Sequence, residues 1–254
     1  MSIDLTPFHH DLTFMSPLGE ERAAALVRFV AGIEHGHVLD IGCGWAELLL
    51  RVVAAGPGLT GTGVDLDERA ITHGRRLAGE RGLGERVTLL AGDAAELAPS
   101  TADAVICIGS SQVWGAADDV PRPLDYAAAL AAIRAKVPRG GRVLYGEAIW
   151  SRPPTDAAIA PLGGMMDEFV DLPELVDLAV AHGFMPMAVG EASIEEWDVF
   201  ESGFNARHSR WLADHPASHP DADEVRARAA RQRTSYLRGY RGILGLGYTC
   251  LVAL

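Results

Sequence analysis

The chain has 254 residues, 48% of them hydrophobic, with 22 basic and 34 acidic side chains and a formal net charge of −12. That length and composition suit one large α/β domain with a buried core, or such a core carrying an inserted cap. So acidic a surface repels phosphate backbones and anionic lipid, which makes nucleic acid and membranes poor partners.

Residues 1–17 mix aromatics, His and Pro without a period and read as a loop or loosely docked arm. They lack a positive segment followed by an apolar run, and no stretch approaches about 18 unbroken apolar residues, so a cytoplasmic protein is expected. Helical spacing over 18–33, with acids in the first turn, predicts a helix. VLDIG at 38–42 reads as a buried strand, and 46–55 as a helix. The alternation repeats: strand 61–66, helix 68–82, strand 86–93, strand 103–110, helix 126–137 and strand 142–150. This order predicts a parallel sheet with helices on both faces. Residues 151–166, rich in Pro, Gly and small side chains, read as a loop or lid. A helix at 172–183, a strand at 185–193, two longer helices at 195–213 and 221–239, and a strand at 246–254 complete the chain. The two longer helices form an insertion between the last two strands, a natural place for a substrate cap. Cys43, Cys107 and Cys250 form no CxxC pair and lie in apolar stretches, which suits small core residues in a reducing compartment.

The most informative stretch is Val38-Leu39-Asp40-Ile41-Gly42-Cys43-Gly44. A buried strand ends in a turn kept open by two glycines, and the next helix points its N-terminus at whatever binds there. A dinucleotide fingerprint would put glycine at the first, third and sixth places; here they are Gly42, Gly44 and Glu47. The acid at the third of these places, and Asp40 just before the turn, would repel a diphosphate. Asp40 suits a cationic ligand instead. Asp65, 25 residues after Asp40, ends the second strand, where a carboxylate can accept from both ribose hydroxyls. Asp93 follows the third strand and is placed to meet an adenine edge. Three acids at three successive strand ends line one crevice.

From residue 36 to 150, VLDIGCG, GVDLD, AGDAAEL, DAVICIGS and PRGGRVLYGE occur in order, and together they resemble the class I S-adenosylmethionine-dependent methyltransferases. The resemblance implies that S-adenosyl-L-methionine is the cofactor and S-adenosyl-L-homocysteine the product. It implies cofactor contacts at Asp40, Gly42, Cys43, Gly44, Asp65, Leu66, Asp93, Ala94 and Ile108. The expected fold is an α/β, Rossmann-like three-layer αβα sandwich with a seven-stranded, mostly parallel sheet, the last strand antiparallel, and a helical cap. Residues 1–35 would form an N-terminal arm and helix. Residues 36–150 would form the cofactor-binding core, and 151–254 the lid, cap helices and closing strands of the same domain. The tail, beginning EEWDVFESGFNARHSRWLADHP, is similar to a group of bacterial methyltransferases of unassigned substrate, so it carries over no catalytic residue.

Methyl transfer from a sulfonium is an in-line displacement that positioning alone can accelerate strongly. A general base is needed only if the acceptor loses a proton. Two candidates are expected. Glu147, at the carboxyl end of the fifth strand, could orient or deprotonate the acceptor; the alternative is a carboxylate that bonds backbone amides. His10, in the arm, could take a proton near neutral pH, the alternative for it and His9 being a solvated or packing ring. Trp114 and Trp150 are expected to wall the acceptor site, with core packing as their alternative. Trp197, Phe200 and Phe204 form a helical stripe that suits packing. The arginines between 226 and 241 follow Asp221, Asp223 and Glu224, an order that fits the helix dipole. No HExxH or GxSxG occurs, and His208, His215 and His219 are too loosely spaced to suggest a metal.

The function expected is methylation of an O, N, S or C atom of a small, partly apolar molecule. Its rivals are a nicotinamide dehydrogenase, a protein or RNA methyltransferase, and a non-catalytic S-adenosylmethionine-binding protein. Oligomeric state is left open.

Overall fold

The computed structural model describes residues 3–115 and 124–254. Its centre is one sheet of β1 (His35–Ile41), β2 (Gly58–Asp65), β3 (Val87–Ala91), β4 (Ala104–Ile108), β5 (Arg142–Trp150), β6 (Phe184–Glu191) and β7 (Leu244–Ala253), ordered β3-β2-β1-β4-β5-β7-β6. Every neighbouring pair is parallel except those made by β7, which runs antiparallel to both β5 and β6.

The strands alternate because both faces are covered. Val38, Ala104, Ile106 and Leu144 turn to one face, where they meet Leu26 and Val30 of α1 (Glu20–Ala31), Leu49 and Val53 of α2 (Glu47–Ala55), and Ile71 of α3 (Glu68–Glu80). Leu39, Ile41, Val105, Cys107 and Val143 turn to the other face. There they meet α4 (Ala94–Leu97), α5 (Tyr126–Lys136) and α7 (Leu172–Ala181) through Ala94, Leu130, Ile133 and Leu175. This period-two division makes a three-layer sandwich out of near-continuous apolar strands. α6 (Asp156–Ile159) tucks Ala158 and Ile159 into the first of these cores, so the stretch after β5 is packed down rather than an open lid.

The insertion between β6 and β7 holds α8 (Ile194–Asp214) and α9 (Ala222–Thr234), the latter running on into a π-helical turn, Ser235–Tyr240. A capping box starts α8: Ser193 accepts from the Glu196 amide and Glu196 accepts from the Ser193 amide. The π-helical turn brings both Tyr236 and Tyr240 against α8, where they donate to Asp198 and Glu201 at 2.6 and 2.7 Å. In the arginine-rich stretch Arg228 pairs with Glu224 at 2.7 Å and Arg226 with Asp223, while Arg241 reaches Asp198 of α8 at 2.8 Å.

Three expectations change in detail. β1 begins at His35, before the apolar run, because His35, Gly36 and His37 pair with residues of β2 at the exposed end of the ladder. The short helices α4 and α6 carry too few residues for a visible period. The arm is pinned, not loose: the Trp45 indole donates to the Thr13 carbonyl at 2.9 Å and the Tyr248 hydroxyl to that of Pro17 at 3.1 Å. No helix among the described residues is long and apolar enough to cross a membrane.

Candidate active site

Strand order reverses between β1 and β4, since the chain builds β2 and β3 on one side of β1 and later strands on the other. The loops leaving these two strands diverge and open a crevice, the place where ligands bind in such sheets. After β1, Gly42 and Gly44 take φ of +69° and +55°. At Gly42 a side chain is also excluded by space, because a Cβ would lie 1.9 Å from Ser110 Oγ on the loop after β4. The amides of Gly42 and Cys43 both donate to the Val64 carbonyl of β2, at 2.9 and 3.1 Å.

Two cavities meet over this turn. The smaller, about 50 Å³, holds Asp40, Cys43 and Glu47 beneath Phe14 of the arm. The larger, about 310 Å³, runs along Gly44, Asp65, Leu66, Asp93 and Ala94 toward Gln112. Met15, Gly42 and Ile108 line both. The crevice therefore gathers all nine residues expected to touch a cofactor.

The three strand-end acids are held differently. Asp65 accepts the Gly44 amide at 2.7 Å and the Asp67 amide at 2.8 Å, which fixes its carboxylate beside the turn. Asp93 caps α4 through the Ala95 amide at 2.8 Å and lines the larger cavity. Asp40 is 5% exposed, and no group among the described residues donates a hydrogen bond to its carboxyl. Burial, and then the charge of Asp65, push its pKa up to about 8. Glu47 lines the smaller cavity but is spoken for, paired with Arg51 and Arg81 at 2.7 Å each. Its charge is neutralised, and burial keeps Asp40 mostly protonated, so the case against a diphosphate rests on Asp65 beside the turn.

The expected acid–base and acceptor residues stand elsewhere. Glu147 is 3% exposed, lines neither cavity, and accepts the Ser111 and Ala148 amides at 3.0 and 2.9 Å. Burial raises its pKa, opposed by those amides. His10 lies in the 3-10 turn Phe8–His10 with a half-exposed side chain, 3.8 Å from Asp11, and lines neither cavity. Its neighbour His9 stacks on His73 of α3 at 3.6 Å. Trp114 packs against the core beneath β4 and β5. Trp150 is buried, gives its indole proton to the Met166 carbonyl at 3.0 Å and meets Phe169 edge-on. Trp197, Phe200 and Phe204 form an edge-to-face stack, as packing residues do. No group of three His, Cys, Asp or Glu that could hold a metal occurs among the described residues.

Ser110, Gln112 and Val113, on the loop after β4 that the family resemblance sets at the acceptor site, wall the larger cavity. Met15 and Phe14 were not singled out by sequence reasoning and reach the cleft only through tertiary docking.

A model of the methyltransferase domain matches residues 38–133. YjhP of Escherichia coli (strain K12), an uncharacterized protein, is 30% identical over 244 residues, covering 94% of this chain and 93% of that one. The X-ray structure of YjhP superposes with a TM-score of 0.82 at 28% identity, covering 97% of each chain. An S-adenosylmethionine-dependent methyltransferase from Geobacter sulfurreducens, crystallised with S-adenosyl-L-homocysteine, gives 0.83 at 26% identity over 97% of this chain and 96% of that one. A counterpart from Thiobacillus denitrificans, with the same ligand, gives 0.82 at 26% identity over the same shares. With its glycine turn and strand-end acids set at the β1–β4 switch point, the chain belongs to the class I, Rossmann-like S-adenosylmethionine-dependent methyltransferases, enzymes whose methyl donor is S-adenosylmethionine.

Proposed function

We infer that the chain methylates a small, partly apolar molecule. The observation that carries the donor's placement is Asp40, a buried carboxyl without a hydrogen-bond donor that opens into the smaller cavity. Such a group is costly unless a cation meets it, and the donor's ammonium and sulfonium are cations. Asp65 would accept from the ribose hydroxyls, and Asp93, Ala94 and Leu66 would border the adenine. Gly42, Cys43, Gly44 and Ile108 would flank the methionine part and the sulfur. Bound there, the donor supplies an electrophilic methyl carbon; the chain's own residues orient it and exclude water.

Two features favour a small acceptor. The net charge of −12 disfavours RNA. The arm and α8 enclose a groove of about 350 Å³ between Leu12, Phe14, Val199 and Phe200, and Phe14 borders both it and the smaller cavity. That groove suits a compact guest better than a folded macromolecule. Among the described residues, neither Glu147 nor His10 lines the two cavities over the glycine turn, so the reading calls on no general base. It places the enzyme in the cytoplasm. A cell extract split into metabolites, RNA and protein, then incubated with the enzyme and donor labelled at the methyl group, tests this. Label is expected in the metabolite fraction; label confined to RNA or protein overturns the small-molecule reading.

A further inference from the structure

β4 ends at Ile108, opposite Gly146, while β5 runs on to Trp150, and the Gly109 amide makes the last ladder bond, to the Gly146 carbonyl at 2.8 Å. The chain then leaves the sheet, with Gly109 at φ +63°, and forms the 3-10 turn Ser111–Trp114. What continues the ladder is a side chain. Glu147 accepts the Ser111 amide with one oxygen and the Ala148 amide with the other, at 3.0 and 2.9 Å. Tyr145, two residues earlier on the same face of β5, meets Ser111 Oγ through its hydroxyl at 2.7 Å. Ser111 is fully buried by this double grip. Its neighbours Ser110 and Gln112 both line the larger cavity, and Ser110 packs directly over Gly42.

We propose that Glu147 is a positioning residue for the donor cleft, holding the 109–113 turn, and with it the wall that Ser110 and Gln112 give the cleft, through the Ser111 amide. The inference rests on the reading of that cleft as the donor site. Chemistry explains the choice of residue. Two amides need two acceptors, and a carboxylate has them. Glutamine offers one acceptor and would turn an NH2 toward the other amide. Aspartate, one methylene shorter, does not reach Ser111. An unpaired buried amide is expensive, so the turn would shift to find another partner. A general base makes the opposite demand, because a carboxylate committed to two amides has little left for an acceptor's proton.

Calorimetry with S-adenosyl-L-homocysteine and with adenosine alone, on wild type, Glu147→Gln and Glu147→Asp, tests the role. Both variants should bind both ligands about tenfold or more weakly, because the wall borders the adenosine part. Folded Glu147→Gln that binds both ligands like wild type overturns the proposal, and if it then also fails to turn over, Glu147 is acid–base machinery instead. Hydrogen exchange on the wild-type chain tests the grip independently of any variant's folding. The Ser111 amide should exchange as slowly as those of β5, and exchange at the rate of an exposed loop overturns the proposal. Wild type that binds neither ligand fails the donor-site reading itself, a result separable from a wild type and variant that bind alike.

Discussion

Burial keeps the Asp40 carboxyl mostly protonated at neutral pH, with a pKa of about 8, whereas an unfolded chain would release that proton near the ordinary 3.8. Between about pH 4 and pH 8 the native state holds a proton that the unfolded state lacks. Stability therefore falls as pH rises through that window, by up to ~1.4 kcal/mol per pH unit. Asp40→Asn removes the penalty, and thermal melts should show it several degrees more stable than wild type at pH 8 and nearly equal at pH 4. The same substitution should weaken S-adenosylmethionine binding at least tenfold, since the cation loses its carboxylate. In wild type, binding near pH 7 should release a proton, visible as a calorimetric heat that changes with the buffer's ionisation enthalpy. Gly42→Ala adds a Cβ 1.9 Å from Ser110 Oγ at a φ of +69°, a strain of about 1–2 kcal/mol before the clash is counted. S-adenosyl-L-homocysteine should then bind more than tenfold weaker by calorimetry. The placement of Asp40 and Gly42 at the crevice was legible in the sequence because a strand followed by a glycine turn dictates geometry locally. Glu147 was not: its position on a strand end was readable, but a carboxylate's partners come from a loop 36 residues away.

Among the elements, α8 shows how the cap is tied to the core. Glu196 closes the capping box, accepts the Gly19 amide at 2.9 Å, and forms a two-oxygen pair with Arg22 of α1. Burial alone would raise its pKa, but Arg22 and the two amides outweigh that and hold it below the ordinary 4.5. Its stabilisation is present above that value and lost as pH falls below it. Glu196→Gln should cost about 1–3 kcal/mol in denaturant unfolding at pH 7, with a smaller difference near pH 4. The sequence spelled out α8 by its spacing and its Ser193-to-Glu196 box, yet said nothing of Arg22, which is 174 residues distant. The arm is the element whose anchors it left unread. Aromatic, His and Pro residues without a period describe a loop correctly. They do not reveal that Trp45 and Tyr248 seize two of its carbonyls and lay Phe14 and Met15 over the cleft.

For the whole molecule, ligand binding should appear as stability. At a hundred times its Kd, S-adenosyl-L-homocysteine adds about 2.7 kcal/mol, which for a chain of this size raises Tm by roughly 5–10 °C. NAD, whose diphosphate at the glycine turn would face the Asp65 carboxylate, should leave Tm unchanged at the same concentration. Gel shifts at physiological salt should show no RNA complex, because a chain of charge −12 gains nothing by releasing counterions from phosphates.

By itself the sequence determined the layered α/β architecture and the acids that border the crevice. Each is written in a local pattern: apolar runs of strand length, helical spacing, a glycine turn, a carboxylate at a strand end. Only the tertiary structure decided which side chains reach the crevice from outside that frame, and which of the tempting ones turn away. It brought in Met15 from the arm and Ser110 from the β4 loop, and it committed Glu147 to amides and Trp150 to the core. The physical reason is distance along the chain. A backbone conformation is selected by neighbours in sequence, whereas a side chain's partners are selected by whatever packing brings within reach.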